Sequence, residues 1–329
     1  MITSTETQVA HALRKAAVRA TAAPSVHNTQ PWRIVLTPGS MHLIADRTRQ
    51  LTVLDPTSRQ LLISCGCALL NARVSLEQSG YEVEVDRFPD PSAPDLLATL
   101  TISSPPQMPF GLGYLDPLIQ LRATNRRRFT DDPIDDGVIA TLVAAAASEG
   151  ALLIELKQVE HRLAVARLTQ QADREQNGDP AYRAEMRAWT TADNERLDGV
   201  RALVVPRVGA GSHDDIPIRD FDTQGVGYLP METDSSVRQC ILVLAGDEET
   251  PIAWLRAGEA LENLWLEAVR HGYAMSLFTQ PIEVPWTREA LREQLQTQAY
   301  PDVVLRIGRA PRTPSSRRRS LVDVVTVTM

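Results

Sequence analysis

Apolar positions recur at helical spacing from about Thr7 to Ala20, then give way to Ala23-Pro24-Ser25-Val26-His27-Asn28-Thr29-Gln30-Pro31-Trp32, which two prolines mark as a loop. Short apolar runs at Arg33 to Leu36 and Met41 to Ala45, joined by Thr37-Pro38-Gly39-Ser40, predict a hairpin. Asp55 and Pro56 predict the start of a helix in which Leu62, Leu69, Leu70 and Val74 continue the apolar spacing until Gly80 ends it. Strands are predicted at Tyr81 to Phe88 and Leu96 to Ile102. The Pro-, Gly- and Ser-rich stretch from Ser103 to Gly113 then reads as a linker.

Beyond the linker, Asp132-Pro133 predicts a helix with Ile139, Leu142, Val143 and Ala146 on one face, and strands are predicted at Gln239 to Leu244 and Val303 to Ile307. Between those strands the earlier pattern returns. Gly258, Ala260, Leu261, Asn263, Gly272 and Tyr273 match Gly66, Ala68, Leu69, Asn71, Gly80 and Tyr81 at one constant offset, and the second helix also opens on a capping residue and proline, Thr250-Pro251. Such a repeat predicts two related halves, 1–112 and 113–329, whose long helices pack about a pseudo-twofold axis with sites shared at the seam. The segment near 177–238 has no counterpart in the first half and reads as an inserted lid.

Composition narrows the class. At 329 residues, with 43% hydrophobic and 23% charged positions, the chain is a globular protein too long for one ordinary core. A net charge of -7 argues against nucleic acid as the partner, and no run approaches the ~20 apolar residues of a membrane span. Three cysteines, two of them in Cys65-Gly66-Cys67, fit neither a disulfide scaffold nor a zinc pair, so a cytoplasmic location is expected. Motifs for hydrolase, zinc, NTPase and Rossmann chemistry are missing.

Two features remain as candidate chemistry. The loop at 23–32 gathers a hydroxyl, an imidazole and two carboxamides, groups that suit a flat heterocycle with alternating donors and acceptors and equally suit an ordinary turn. The runs Arg122-Ala123-Thr124-Asn125-Arg126-Arg127-Arg128-Phe129 and Arg317-Arg318-Arg319 match phosphate chemistry, or are solvated basic turns in a chain with only two lysines among its 34 basic residues.

Taken together, these residues resemble the FMN-dependent nitroreductase superfamily, whose members carry an Arg-rich opening, an Ala-Pro-Ser-x-x-Asn-x-Gln-Pro-Trp element and a basic stretch after the last strand. The chain is similar to the Acg-type branch, a nitroreductase dimer fused end to end. The resemblance implies an α+β fold of two nitroreductase-like halves, each a mixed β-sheet covered by helices. It further implies FMN held between Ser25, His27, Asn28, Thr29 and Gln30 from one side and Arg122, Thr124, Asn125, Arg126, Arg317, Arg318 and Arg319 from the other, with Trp32 anchoring the loop in the core. The implied activity passes electrons from NADH or NADPH through FMN to a nitroaromatic or quinone-like acceptor, within a single fused chain. The first half has no Arg-rich opening and the second no copy of the Ser/Asn/Gln loop, so one flavin site is expected. A protein that stores FMN beneath the lid without turning it over is the alternative, and a cofactor-free interaction protein a third reading.

Overall fold

The computed structural model describes residues 4–193, 195–205, 219, 221 and 239–328. In chain order the first elements are α1 (Ser4–Thr21), β1 (Trp32–Thr37), β2 (Ser40–Ala45), α2 (Arg59–Gln78), β3 (Val83–Arg87) and β4 (Leu96–Ile102). After a 3-10 turn at Gly113–Leu118 come α3 (Asp136–Ser148), β5 (Leu152–Glu155), α4 (Val159–Gly178), α5 (Pro180–Trp189) and the short strands β6 (Thr190–Thr191) and β7 (Val200–Arg201). The remainder comprises β8 (Cys240–Gly246), α6 (Pro251–Arg270), β9 (Ala274–Phe278), α7 (Gln280–Glu283), α8 (Pro285–Gln294), β10 (Tyr300–Gly308), α9 (Leu321–Val324) and β11 (Val325–Val327). Most of the inserted segment expected near 177–238 lies outside the described residues.

The chain is an α+β protein with two main sheets. The first runs β11-β1-β2-β4-β3, antiparallel except where β11 pairs with β1 in parallel. Thus the carboxyl end returns to the sheet built by the amino-terminal residues. The second runs β5-β8-β10-β9, antiparallel throughout, with a parallel bridge from Thr124 to Met275. In β1 every second residue is buried, the period-two pattern of a strand with one face on the core, and Trp32 is fully enclosed there.

Between the sheets lie the two long helices. α2 and α6 are each 20 residues long and begin at positions related by the offset that matches Gly66 to Gly258. α2 is buried on nearly every side, which its run of small and apolar residues allows. At the crossing the backbones touch: a Cβ on Gly66 would lie 2.0 Å from the Leu255 carbonyl oxygen, and one on Gly258 2.0 Å from that of Ile63. Each helix ends the same way, with Gly80 (φ +83°) and Gly272 (φ +77°) in the left-handed region and Tyr81 and Tyr273 bonding back to Leu76 and Ala268.

Two helix starts differ from expectation. The Asp55 carboxylate does accept bonds from Gln60 N and Leu61 N, but it does so from outside the helix, which begins at Arg59 after Ser58 turns left-handed. Similarly, Asp135 rather than Asp132 caps α3, accepting from Gly137 N, while Asp132 takes the Thr130 hydroxyl. The strand expected from Tyr81 is shorter, Val83–Arg87, because Tyr81 is spent on the helix end.

Gly66→Ala or Gly258→Ala should therefore lower stability by about 3 kcal/mol or more, since the clash is with backbone that cannot step aside. Gly178→Ala, where nothing lies within 4 Å of the added carbon, should change it by less than about 1 kcal/mol. Chemical denaturation of the three variants measures the contrast.

Candidate functional site

Built between Pro24 and Pro31, the loop after α1 is strained where its chemistry is densest. His27, Asn28 and Gln30 all have positive φ (46°, 56° and 50°), a conformation unfavourable for side-chain-bearing residues and concentrated at functional sites. The loop is held by Ser25, whose hydroxyl accepts from Gln30 N at 2.9 Å, and by Ser64 of α2, whose hydroxyl accepts from Val26 N at 3.1 Å.

Two adjoining cavities open beside this loop and share Pro24, Ser25, Thr124 and Arg126. The larger has a cavity volume of about 110 Å³, is partly open to solvent, and runs between His27, the α2 residues Gln60, Ile63, Ser64 and Cys67, and the β9 edge at Ser276 to Phe278. The smaller, with a cavity volume of about 40 Å³, is lined by Asn28, Arg122, Arg126 and Arg318 together with Gly199 and Ser316. A slot of mixed polar and apolar lining thus meets a cationic end.

The guanidiniums at that end are differently placed. Arg122 is buried, with Nε 3.2 Å from a Glu262 carboxylate oxygen, Nη2 donating to the Ala22 carbonyl at 3.1 Å, and its plane 4.8 Å over Trp265. Arg318 donates to Asn28 Oδ1 at 3.1 Å and to the Ala22 and Ala23 carbonyls at 3.0 Å, but meets no carboxylate among the described residues. Arg126 has no hydrogen-bond acceptor among the described residues and lies 5.3 Å over the Phe221 ring. Burial pushes Arg318 down to about 9, with the Arg122 cation adding to it, and Arg126 down to about 10, with Arg219 adding. Half-buried guanidiniums that make no ion pair among the described residues suit an anion.

The sequence-derived residues divide accordingly. Ser25, His27, Asn28, Arg122, Thr124, Arg126 and Arg318 line the paired cavities. Thr29, Gln30, Asn125, Arg317 and Arg319 do not; they brace the walls. Gln30 accepts from Arg319 N at 2.7 Å and donates to the Leu197 carbonyl at 2.9 Å, clamping the carboxyl-terminal stretch and the inserted segment to the loop. Asn125 bonds Arg127 and Thr313, Thr29 is enclosed, its carbonyl taken by Arg49, Arg317 faces Glu195, and Arg319 lies 3.7 Å from Asp46.

Reasoning from sequence missed the lining from α2, β9 and the insertion. Arg219 lines the larger cavity, tied to Tyr182, Thr279 and Glu283, and Phe221 packs edge-on against His27 at 5.7 Å. No local motif marks these positions; the signal lay in the repeat, which places α2 and the β9 edge at the seam.

By the same repeat, Cys67 and Thr279 of the cavity correspond to Glu259 and Arg87. Arg87 donates twice to the Glu259 carboxylate at 2.8 Å, and Arg73 bridges Glu259 and Glu149 at 2.8 and 2.7 Å. At the positions matched to the cavity lining, therefore, stands an ion-pair cluster.

No protein-family model matches the chain. It is 33% identical over 323 residues to the Mycobacterium tuberculosis (strain H37Rv) protein Rv3131, provisionally named an NAD(P)H nitroreductase, covering 96% of this chain and 91% of that one. It is 28% identical over 325 residues to the protein acg of the same strain, which carries the same provisional name, covering 97% of each chain. A Desulfitobacterium hafniense nitroreductase with bound FMN is similar at 13% identity and a TM-score of 0.42, over 65% of this chain and 98% of that one.

Burial, with the Arg219 and Arg126 cations, holds His27 well below the usual imidazole range, so it stays neutral when folded. The unfolded chain protonates it below about pH 6.5, so the stability it permits is full above that pH and lost as pH falls. The His27 resonances should show no protonation across the usual imidazole range, and His27→Asn, which tolerates the left-handed backbone, should flatten the acid-side decline in melting temperature.

Proposed function

The chain belongs to the NAD(P)H nitroreductase family, and from that premise we propose that it is an FMN-dependent oxidoreductase carrying electrons from NADH or NADPH to a nitroaromatic or quinone-like acceptor. The observation that carries the reading is the pair of half-buried guanidiniums, Arg126 and Arg318, which make no ion pair among the described residues and lie at the end of a slot whose other wall is the Ser25/His27/Asn28 loop. Those residues suit FMN: Arg122, Arg126 and Arg318 would hold its phosphate, and Ser25, Asn28 and Thr124 would offer hydroxyl and carboxamide groups to the rest of the molecule. When bound, FMN supplies a ring that takes up a hydride and gives electrons on, so the protein need contribute only binding, orientation and electrostatics.

Each side chain then has a task. Arg126 and Arg318 balance the phosphate charge and fix which end of the slot it enters. Asn28, its Oδ1 held by Arg318 and its Nδ2 donating to the Gly199 carbonyl at 3.1 Å, keeps the loop at a set distance from the pocket. Phe221, Phe278 and neutral His27 line the slot and exclude water from the ring. Thr29, Gln30, Asn125, Arg317 and Arg319 act one step back, holding the loop and the carboxyl-terminal stretch in register. The halves 1–112 and 113–329 are taken as the units of the fused dimer, working as one chain. Three unpaired cysteines favour the cytoplasm; among the described residues no helix is long and apolar enough to cross a membrane.

The storage reading draws support from the insertion, since Leu197, Gly199 and Phe221 all meet the loop or the slot. Anaerobic mixing with NADH or NADPH separates the two readings: bleaching of bound FMN supports the oxidoreductase, and tight FMN without bleaching supports storage. Arg126→Ala and Asn28→Ala, though in opposite halves, should each raise the Kd for FMN about tenfold or more by flavin-fluorescence titration. Unchanged affinity in both would overturn the site.

A further inference from the structure

Glu262 lies in α6, fully enclosed, behind the wall of the smaller cavity. Its ion-pair partner among the described residues is Arg122, at 3.2 Å, with the Asn71 carboxamide of α2 and the Arg318 cation also favouring its charged form. Helix packing does not require a carboxylate at this point: the position matched to it in α2 by the repeat holds Leu70, equally enclosed. Nor does Arg122 depend on it alone for placement, since the Ala22 carbonyl and the Trp265 face already hold that side chain. A buried carboxylate costs stability unless it is matched by charge. Something other than packing keeps it there.

Charge balance supplies the reason. Three guanidiniums line the smaller cavity, those of Arg122, Arg126 and Arg318, and no carboxylate is among its lining residues. Glu262 lowers that sum from three to two. A phosphate monoester carries a charge of about -1.5 to -2 near pH 7. Burial pushes Glu262 up to about 6, with Arg122 opposing the rise, so the carboxylate is ionised at neutral pH.

We propose that Glu262 sets the net charge of the anion pocket, offsetting one of its three guanidiniums so that the sum matches a dianionic phosphate monoester, and so limits how far the site prefers a phosphorylated flavin over an uncharged one. This rests on the FMN reading above. Removing the carboxylate charge leaves the pocket over-positive, so the gain falls on phosphorylated ligands alone.

Titration with FMN and with riboflavin, read by flavin fluorescence, tests the assignment. Glu262→Gln should strengthen FMN binding about tenfold relative to riboflavin, the size of one unit-charge interaction across a partly screened site. A second comparison holds should the unpaired Arg122 cation prevent folding: the double variant Arg122→Gln/Glu262→Gln, which removes the pair together, should bind FMN about tenfold more tightly than Arg122→Gln alone, with riboflavin unchanged. A preference for FMN over riboflavin that stays the same or falls in these comparisons overturns the charge assignment while leaving the FMN site intact. A wild-type chain that binds neither flavin overturns the FMN reading itself, and this inference with it.

Discussion

Everything in this molecule is referred to the place where α2 crosses α6 with glycine against glycine. Without side chains at Gly66 and Gly258 the two backbones close to a Cα separation that any Cβ would forbid. That approach sets the spacing of the seam, and the seam sets the site. Gln60, Ile63, Ser64 and Cys67 on α2 and Leu261 on α6 line the larger cavity, and Ser64 fixes the Ser25 loop through Val26. Small changes at the crossing would therefore be felt at the slot, because close-packed interiors transmit displacement rather than absorb it.

Around that crossing the chain carries costs that no local interaction repays. Three residues of one loop have left-handed backbones, and two half-buried guanidiniums make no ion pair among the described residues. Both are tolerated because packing and hydrogen bonds from distant segments over-determine the geometry: Arg318 and Arg319 from the carboxyl end, and Leu197 and Gly199 from the insertion, all bond to the loop. The mate of the site shows the opposite choice. There Glu149 and Glu259 answer Arg73 and Arg87, so the charges cancel within the protein and no anion is called for. One repeat has produced an open cationic cleft on one side and a closed ion-pair cluster on the other.

Much of this was legible in the sequence because glycine and proline announce themselves. The offset linking Gly66, Gly80 and Tyr81 to Gly258, Gly272 and Tyr273 identified two helices of equal length and ending, and the Pro24-to-Pro31 loop stood out by composition. Other features were beyond a local reading. Asp55 was recognisable as a capping residue, yet nothing nearby shows that Ser58 turns left-handed and delays the helix. The runs of arginine looked alike, and only the fold separates Arg126 and Arg318, which face the cavity, from Arg317 and Arg319, which brace it. Arg219, Phe221 and Glu262 had no motif at all; their roles follow from partners far away in the chain.

The central claim is that amides from upstream of the linker and guanidiniums from downstream of it form one flavin cleft per chain, its mate being filled by Arg87 and Glu259. Isothermal titration calorimetry of the full chain with FMN tests this most directly through its stoichiometry. The account predicts saturation at one FMN per chain; two per chain, or no binding, would contradict it.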